Sequence, residues 1–410
     1  MTICIESVKA LLFENDEFSV DTVDIYIRDD RIVKINRREN PAASEQTRAE
    51  YAPDRIIDGK FRLAIPGLVN SHTHAYMTMF RNKADDVPFT QWLFDTILPL
   101  EDAMSPQECY YGTLLANAEM IRTGTTSYID MHLTPDSNAR AATDSGLRVC
   151  LSRGLTGNDR KDEDALRRLK EAMHDHEHWC DNDMITTMLA PHAPYTCGPD
   201  YLEYIASYAK EHGFALNIHL AEGDDEMENI RKTYGMTPIE YADRAGVFDV
   251  RTVAAHCVHL SDSDMDILKE KKVHVAVNPI SNMKLGNGFS PVPEMLEKGI
   301  SVCIGTDGAA SNNSLNLFRE MTTEALIHKG LKKDTVCVRA ADVLKMATIG
   351  GAAAMGREGE LGRIEEGYKA DIVLLDMRSP QLIPDGNLIS ALVYSCCGNE
   401  VDTVMVNGKI

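Results

Sequence analysis

The sequence predicts an α/β protein centred on a closed (β/α)8 barrel, and three observations carry that prediction. Eight short apolar runs recur through the middle of the chain, separated by longer amphipathic stretches. Most of these runs are continuous rather than alternating, which suits strands buried on both faces. Strand and helix alternate strictly, which implies parallel pairing with right-handed crossovers. Eight such units make a closed barrel the first choice and an open doubly wound sheet the second.

The first four runs are Leu63 to Asn70, Thr125 to Met131, Arg148 to Leu155 and Met184 to Ala190. Phe214 to Leu220, Thr252 to Cys257, Val273 to Asn278 and Ile300 to Thr306 follow. Helix signals lie between them. Ser105, Pro106 and Glu108 form a capping box that opens a helix to about Arg122, stopped by Gly124. Asp200 to Glu211 stops at Gly213, and Ser261 is an N-cap for a helix to Lys271.

The flanks differ. Val23 to Ile27 and Ile32 to Ile35 read as short strands around a turn at Asp29-Asp30, and Asp371 to Asp376 and Val401 to Val406 are again β-rich. Neither flank is large enough to bury a good core alone. Both are therefore expected to pair into one small β-sandwich domain, residues 1–62 and 358–410, beside a barrel of residues 63–357.

Composition excludes several classes. The chain has 410 residues, 44% hydrophobic and 26% charged, as in an ordinary globular protein. No run approaches the ~18 apolar residues a spanning helix needs. Met1 to Phe13 carries Glu6 and Lys9 and does not read as a signal peptide. A net charge of −21 leaves no basic face for nucleic acid or an anionic membrane. The ten cysteines include no Cys-x-x-Cys and read as reduced thiols in a cytoplasmic protein.

In a parallel barrel the functional groups sit at the C-terminal ends of strands. The first run ends in Asn70-Ser71-His72-Thr73-His74. Alternate strand residues share a face, so His72 and His74 project together, a poor core pair and a good divalent-metal pair. His219 and then Glu222 end the fifth run, His256 the sixth and Asp307 the eighth. Three imidazoles and a carboxylate suit zinc or ferrous iron, which makes water acidic enough to supply hydroxide near neutral pH. Glu222 stands where a base could move a proton to a leaving group, and Asp307 could bind metal and help orient water.

Pro66-Gly67-Leu68-Val69-Asn70-Ser71-His72-Thr73-His74 resembles the first-strand motif of the amidohydrolase superfamily. Gly305-Thr306-Asp307-Gly308-Ala309-Ala310-Ser311-Asn312-Asn313 is similar to its eighth-strand motif in the branch of methylthioadenosine/S-adenosylhomocysteine deaminases and related chlorohydrolases. His219-Leu220-Ala221-Glu222, Ala255-His256-Cys257, Asn278-Pro279, Ser281-Asn282, Lys284-Leu285 and Gly367 to Val373 match as well, in the expected order. The resemblance implies one divalent metal per subunit, zinc first and iron second, on His72, His74, His219 and Asp307. It gives Glu222 the proton shuttle, His256 the holding of the water and Asp307 a catalytic part. His192 stands at the end of the fourth run where other branches carry a lysine, so a bridged two-metal site is not expected.

For the substrate, the resemblance implies that Glu101, in Leu98-Pro99-Leu100-Glu101, grips ribose hydroxyls and that His192 contacts the base. Glu222 and Asp307 face the substrate too. Arg153 matches a substrate arginine and Arg160 less clearly a second; surface ion pairs are the competing reading for both. Trp92 and Phe94, within Phe89 to Leu98, would wall the pocket, or simply pack a helix on the barrel. His174, His176 and His178 read as a solvated surface, and beyond Glu222 the acid-rich stretch to Glu228 reads as a solvated helix start. His132 and His259 are supporting or structural candidates, and Glu119 and Asn117 are not expected to be catalytic.

Hydrolytic deamination of an adenosine-type nucleoside is thus the expected function. The 5′ group is open among methylthio, homocysteine, hydrogen and hydroxyl, and an arginine near that end would favour the homocysteine carboxylate. The rivals are a guanine, cytosine, pterin or chlorotriazine hydrolase of the same superfamily, and a non-catalytic binding module. A small nucleoside partner, no nucleic acid, no membrane and a homo-oligomer complete the expectation.

Overall fold

The computed structural model of the chain describes residues 1–38 and 41–410. Five strands come first: β1 (Thr2–Glu14), β2 (Glu17–Arg28), β3 (Arg31–Arg37), β4 (Arg55–Asp58) and β5 (Arg62–Pro66). The barrel strands follow: β6 (Leu68–Thr73), β7 (Thr125–His132), β8 (Arg148–Leu155), β9 (Ile185–Pro191), β10 (Leu216–Leu220), β11 (Thr252–His256), β12 (His274–Val277) and β13 (Ser301–Ile304). β14 (Ile372–Asp376) and β15 (Val401–Met405) end the series.

Strands β6 to β13 pair in chain order as one eight-stranded parallel sheet, and β7 to β13 fall on the expected second to eighth runs. The seam between last and first strand closes through backbone. The N–H groups of Thr306 and Asp307 donate to the carbonyl of His72 at 3.1 and 2.9 Å. A Cβ on Gly305 would lie 2.7 Å from the backbone of His72, so only glycine permits this approach. The closed barrel is the fold, and the open sheet is excluded.

One expected strand is two. The run Leu63 to Asn70 divides at Gly67: β5 pairs with β1 and β14, while β6 begins the barrel at Leu68. Both pieces are buried, so hydrophobicity alone reads them as continuous. The passage from one sheet to the other therefore falls at Gly67 rather than before Leu63.

The chain ends meet in one seven-stranded sheet, ordered β15-β14-β5-β1-β2-β3 with β4 on β1. Period-two alternation gives it two apolar faces. Ile5, Ala64, Ile372 and Leu374 join a core of the sheet's own. Leu63, Ile65, Val373 and Leu375 join the large core that runs between barrel and helices. The capping boxes at Ser105 and Ser261 form, starting helices at Pro106 and Asp262. Among the described residues no helix is long and apolar enough to cross a membrane.

Candidate active site

Four strand ends deliver the polar cluster to one point. His72 lies next to the end of β6 and His74 just beyond it; His219 lies on β10, His256 ends β11, and Asp307 follows β13. Nitrogens of His72, His74 and His219 lie within 4.8 Å of one another, as do ligand atoms of His72, His256 and Asp307. His74 Nε2 is 3.2 Å from His219 Nε2. Asp307 Oδ1 is 3.6 Å from His72 Nε2 and 3.5 Å from His74 Nε2, too long for hydrogen bonds.

Outer partners aim these groups. The Nδ1 atoms of His74 and His219 each lie 2.8 Å from a carbonyl, of Met131 and His192. An Nδ1–H donated there leaves each Nε2 lone pair facing the cluster. Ser281 and Ser311 donate hydroxyls to Asp307 Oδ2 at 2.6 and 2.7 Å, and the Gly308 N–H donates to Oδ1 at 2.8 Å. His72 is fully buried, yet neither ring nitrogen has a hydrogen-bond partner. Buried polar atoms are seldom left so. An electron-pair acceptor among these imidazoles fits the donor set, because each of the three imidazoles and the carboxylate can turn a lone pair inward.

Electrostatics agree. Burial lowers the pKa of His72 to about 4, and lowers those of His74 and His219 too. Neutral imidazole is the form that binds a cation. Burial pushes Asp307 up, but the imidazoles of His72, His256 and His74 outweigh it and hold the carboxyl well below its usual range. Glu222 is raised by burial. Its Oε1 is 3.9 Å from His256 Nε2 and accepts the Asn287 side-chain N–H at 3.1 Å. His256 is pushed down by burial but net raised, by the carboxylates of Glu222 and Asp307, and its Nδ1 lies 2.8 Å from Asn282 Oδ1.

The cluster floors a cavity of about 80 Å³. Glu101, His192, Trp92 and His132 line it, together with Tyr195 and Gly154. Glu101 is raised to about 7 by burial, against the Tyr76 hydroxyl that donates to it at 2.5 Å. Phe94 is exposed and lines the wider cavity outside.

The two arginines do not line the inner cavity. Arg153 pairs with Glu171 at 3.3 Å, and exposed Arg160 pairs with Asp200 at 2.6 Å. The ion-pair alternative describes both. Glu226 is a second departure: it is 5% exposed and turns inward, where a solvated helix start was expected. The buried carboxylate of Asp130, which accepts the Ala75 N–H at 2.8 Å, was also missed, as were Tyr76 and Asn287. Spacing carries no signal for such contacts; a carboxylate within a strand-like run, as at Asp130, was the one hint available. His132 lies 3.1 Å from the Thr113 hydroxyl, His259 lies near Asp224, and Glu119 binds Arg81. His176 Nδ1 lies 2.6 Å from the Thr187 hydroxyl, away from the cluster.

The amidohydrolase family model matches residues 63–410. A protein of Caldanaerobacter subterraneus subsp. tengcongensis called 5-methylthioadenosine/S-adenosylhomocysteine deaminase is 44% identical over 415 residues, covering 100% of this chain and 93% of its own. The crystal structure of an adenosine deaminase from Xanthomonas campestris with bound zinc superposes with a TM-score of 0.93 at 31% identity, covering 99% of this chain and 92% of its own. An atrazine chlorohydrolase from Arthrobacter aurescens, complexed with zinc, shares the fold with a TM-score of 0.89 at 24% identity, over 99% of this chain and 94% of its own. With the motifs, the barrel and the family match in agreement, the chain belongs to the amidohydrolase family.

Proposed function

We propose that this protein is a metal-dependent hydrolytic deaminase of adenosine-type nucleosides: water replaces the 6-amino group, giving the inosine analogue and ammonia. The observation that carries the reading is the meeting of the imidazole–aspartate cluster, Glu222 and Glu101 in one cavity. The relatives' names, deaminases of 5-methylthioadenosine, S-adenosylhomocysteine and adenosine, support the same substrate class.

His72, His74, His219 and Asp307 would hold one divalent ion, zinc first and iron second. A divalent cation bound there makes water acidic enough to lose a proton near neutral pH. Glu222 takes that proton on its carboxylate and returns it to the leaving amino nitrogen; its raised pKa suits both directions of transfer. His256 holds the attacking water, its ring steadied at Nδ1 by Asn282. His192 and Asp307 face the base, and Trp92 helps keep bulk water out. Glu101 accepts the two vicinal ribose hydroxyls, oriented by the Tyr76 hydroxyl. A bare-base substrate such as guanine or cytosine would offer Glu101 no vicinal hydroxyls, leaving the Tyr76 hydroxyl as its partner in the cavity, which favours a ribosyl substrate over these rivals.

The −21 net charge supports a free small molecule over nucleic acid or membrane partners, and ten free cysteines support a cytoplasmic location. A homo-oligomer completes the proposal, and a solution mass checks it. The deciding experiment is ammonia release from adenosine, 5′-deoxyadenosine, methylthioadenosine and S-adenosylhomocysteine, set against guanine and cytosine. Turnover confined to the nucleosides is expected. Release from a free base alone would replace this reading with the rival one.

A further inference from the structure

Glu320 lies on the helix Leu317–Lys332, outside both the imidazole–aspartate cluster and the cavity above it, and is fully buried. Its two carboxyl oxygens serve two different segments. One accepts the Asn312 side-chain N–H at 2.6 Å, the other the Ile280 backbone N–H at 3.2 Å. The same Asn312 nitrogen donates to the Thr306 carbonyl at 2.6 Å. One carboxyl thereby ties the segment after β12 to the segment after β13.

Those two segments carry the groups that aim the cluster. Ser281 and Asn282 follow Ile280 directly, on the short helix Pro279–Lys284. Ser281 donates to Asp307 Oδ2 at 2.6 Å, and Asn282 Oδ1 lies 2.8 Å from His256 Nδ1. Ser311, the neighbour of Asn312, donates to the same Asp307 oxygen at 2.7 Å. Asp307 and His256 both keep a left-handed backbone, at φ +58° and +74°, which the surroundings must impose on an L-residue. Both partners of Glu320 are uncharged, and burial pushes its carboxyl up to about 8 against their pull. An apolar side chain would fill this space with less loss of solvation, so the two acceptors, not the bulk, are what the position supplies.

From this we infer that Glu320 is a positioning residue of the metal centre: it touches neither ion nor substrate, and sets metal affinity and turnover by holding Ser281, Asn282 and Ser311 against Asp307 and His256. The inference rests on the reading of the cluster as a metal site. A ligand carboxylate keeps its aim only while the backbones of its hydroxyl donors stay fixed. Outer partners of metal ligands are worth about tenfold to a hundredfold in affinity or activity.

Glu320→Gln keeps the shape, but its amide nitrogen cannot accept, so one of the two ties is lost. Zinc affinity, read by competition with a chromophoric chelator, should weaken about tenfold, the lower end of that range. In zinc-saturated protein kcat for ammonia release should fall by a similar factor with KM little changed. Glu324→Gln is the control. Glu324 is buried one turn further along the same helix and pairs with His328 at 2.8 Å. Its loss should lower the melting temperature of metal-free protein and leave zinc affinity unchanged. Ser281→Ala combined with Glu320→Gln should lose less zinc affinity than the product of the two single losses, since both act on Asp307 by one path. Asn312→Ala breaks the same bridge from its far side and should show the zinc loss even if Glu320→Gln does not fold. Wild-type zinc affinity in Glu320→Gln or Asn312→Ala, an equal loss in Glu324→Gln, or fully multiplicative losses with Ser281→Ala overturns the inference. A wild type that takes up no zinc overturns it together with the metal-site reading. Zinc uptake without ammonia from any nucleoside overturns the deaminase reading alone, and the zinc comparison still decides the role of Glu320.

Discussion

Glu226 accepts the backbone N–H of Glu222 at 2.9 Å through one carboxyl oxygen, and that of Ala221 at 3.1 Å through the other. Ala221 sits at φ +50°, a left-handed conformation that an L-residue keeps only when its surroundings impose it. A carboxyl from the first turn of the helix Asp224–Tyr234 thus clamps the segment that aims the proposed proton shuttle. Removing it as Glu226→Ala should lower kcat by about tenfold to a hundredfold, the scale of an ångström-sized misplacement. KM and bound metal should change little. A fall in melting temperature with full kcat would mean that the clamp serves folding alone.

Glu222→Gln keeps the shape and the contact available to Asn287 but cannot accept a proton. Its kcat should fall by about 10²–10⁴, the usual contribution of a general acid–base. Metal analysis should find the same zinc content as in the wild type. Wild-type turnover in this variant would remove Glu222 from the mechanism.

Chelation should abolish ammonia release, and added zinc should restore it. Stability carries a second signature. An unpaired buried polar group costs about 1–3 kcal/mol, and both ring nitrogens of His72 are in that state without a cation. Zinc should therefore raise the melting temperature of the wild type, and His72→Ala should lose both the rise and the turnover. Calorimetry with and without chelator reads this directly.

Burial lifts Glu101 to about 7, above the ordinary carboxyl value. The sign follows: below that pH the group is a neutral acid and a weaker acceptor, and above it a carboxylate. KM for adenosine should therefore fall as pH rises through about 7. A 2′,3′-dideoxy analogue, with no hydroxyls for Glu101, should lack this dependence. An identical pH profile for both would detach Glu101 from the ribose.

Much of this was written along the chain. Eight apolar runs with capped helices between them specify a parallel barrel, because each strand must be buried on both faces and each helix needs a local stop. The sequence also determined that His72, His74, His219, Glu222, His256 and Asp307 stand at strand ends, because a polar residue closing an apolar run has one side left to face. What only the tertiary structure decided are contacts between positions that no periodicity links. Gly67 divides one apolar run between two sheets, since burial looks alike in both. Arg153 turns to Glu171 and away from the pocket, and Glu226 folds back inward from an acid-rich stretch. A charged side chain declares its chemistry in the sequence, but its partner is set by which distant segment packs beside it.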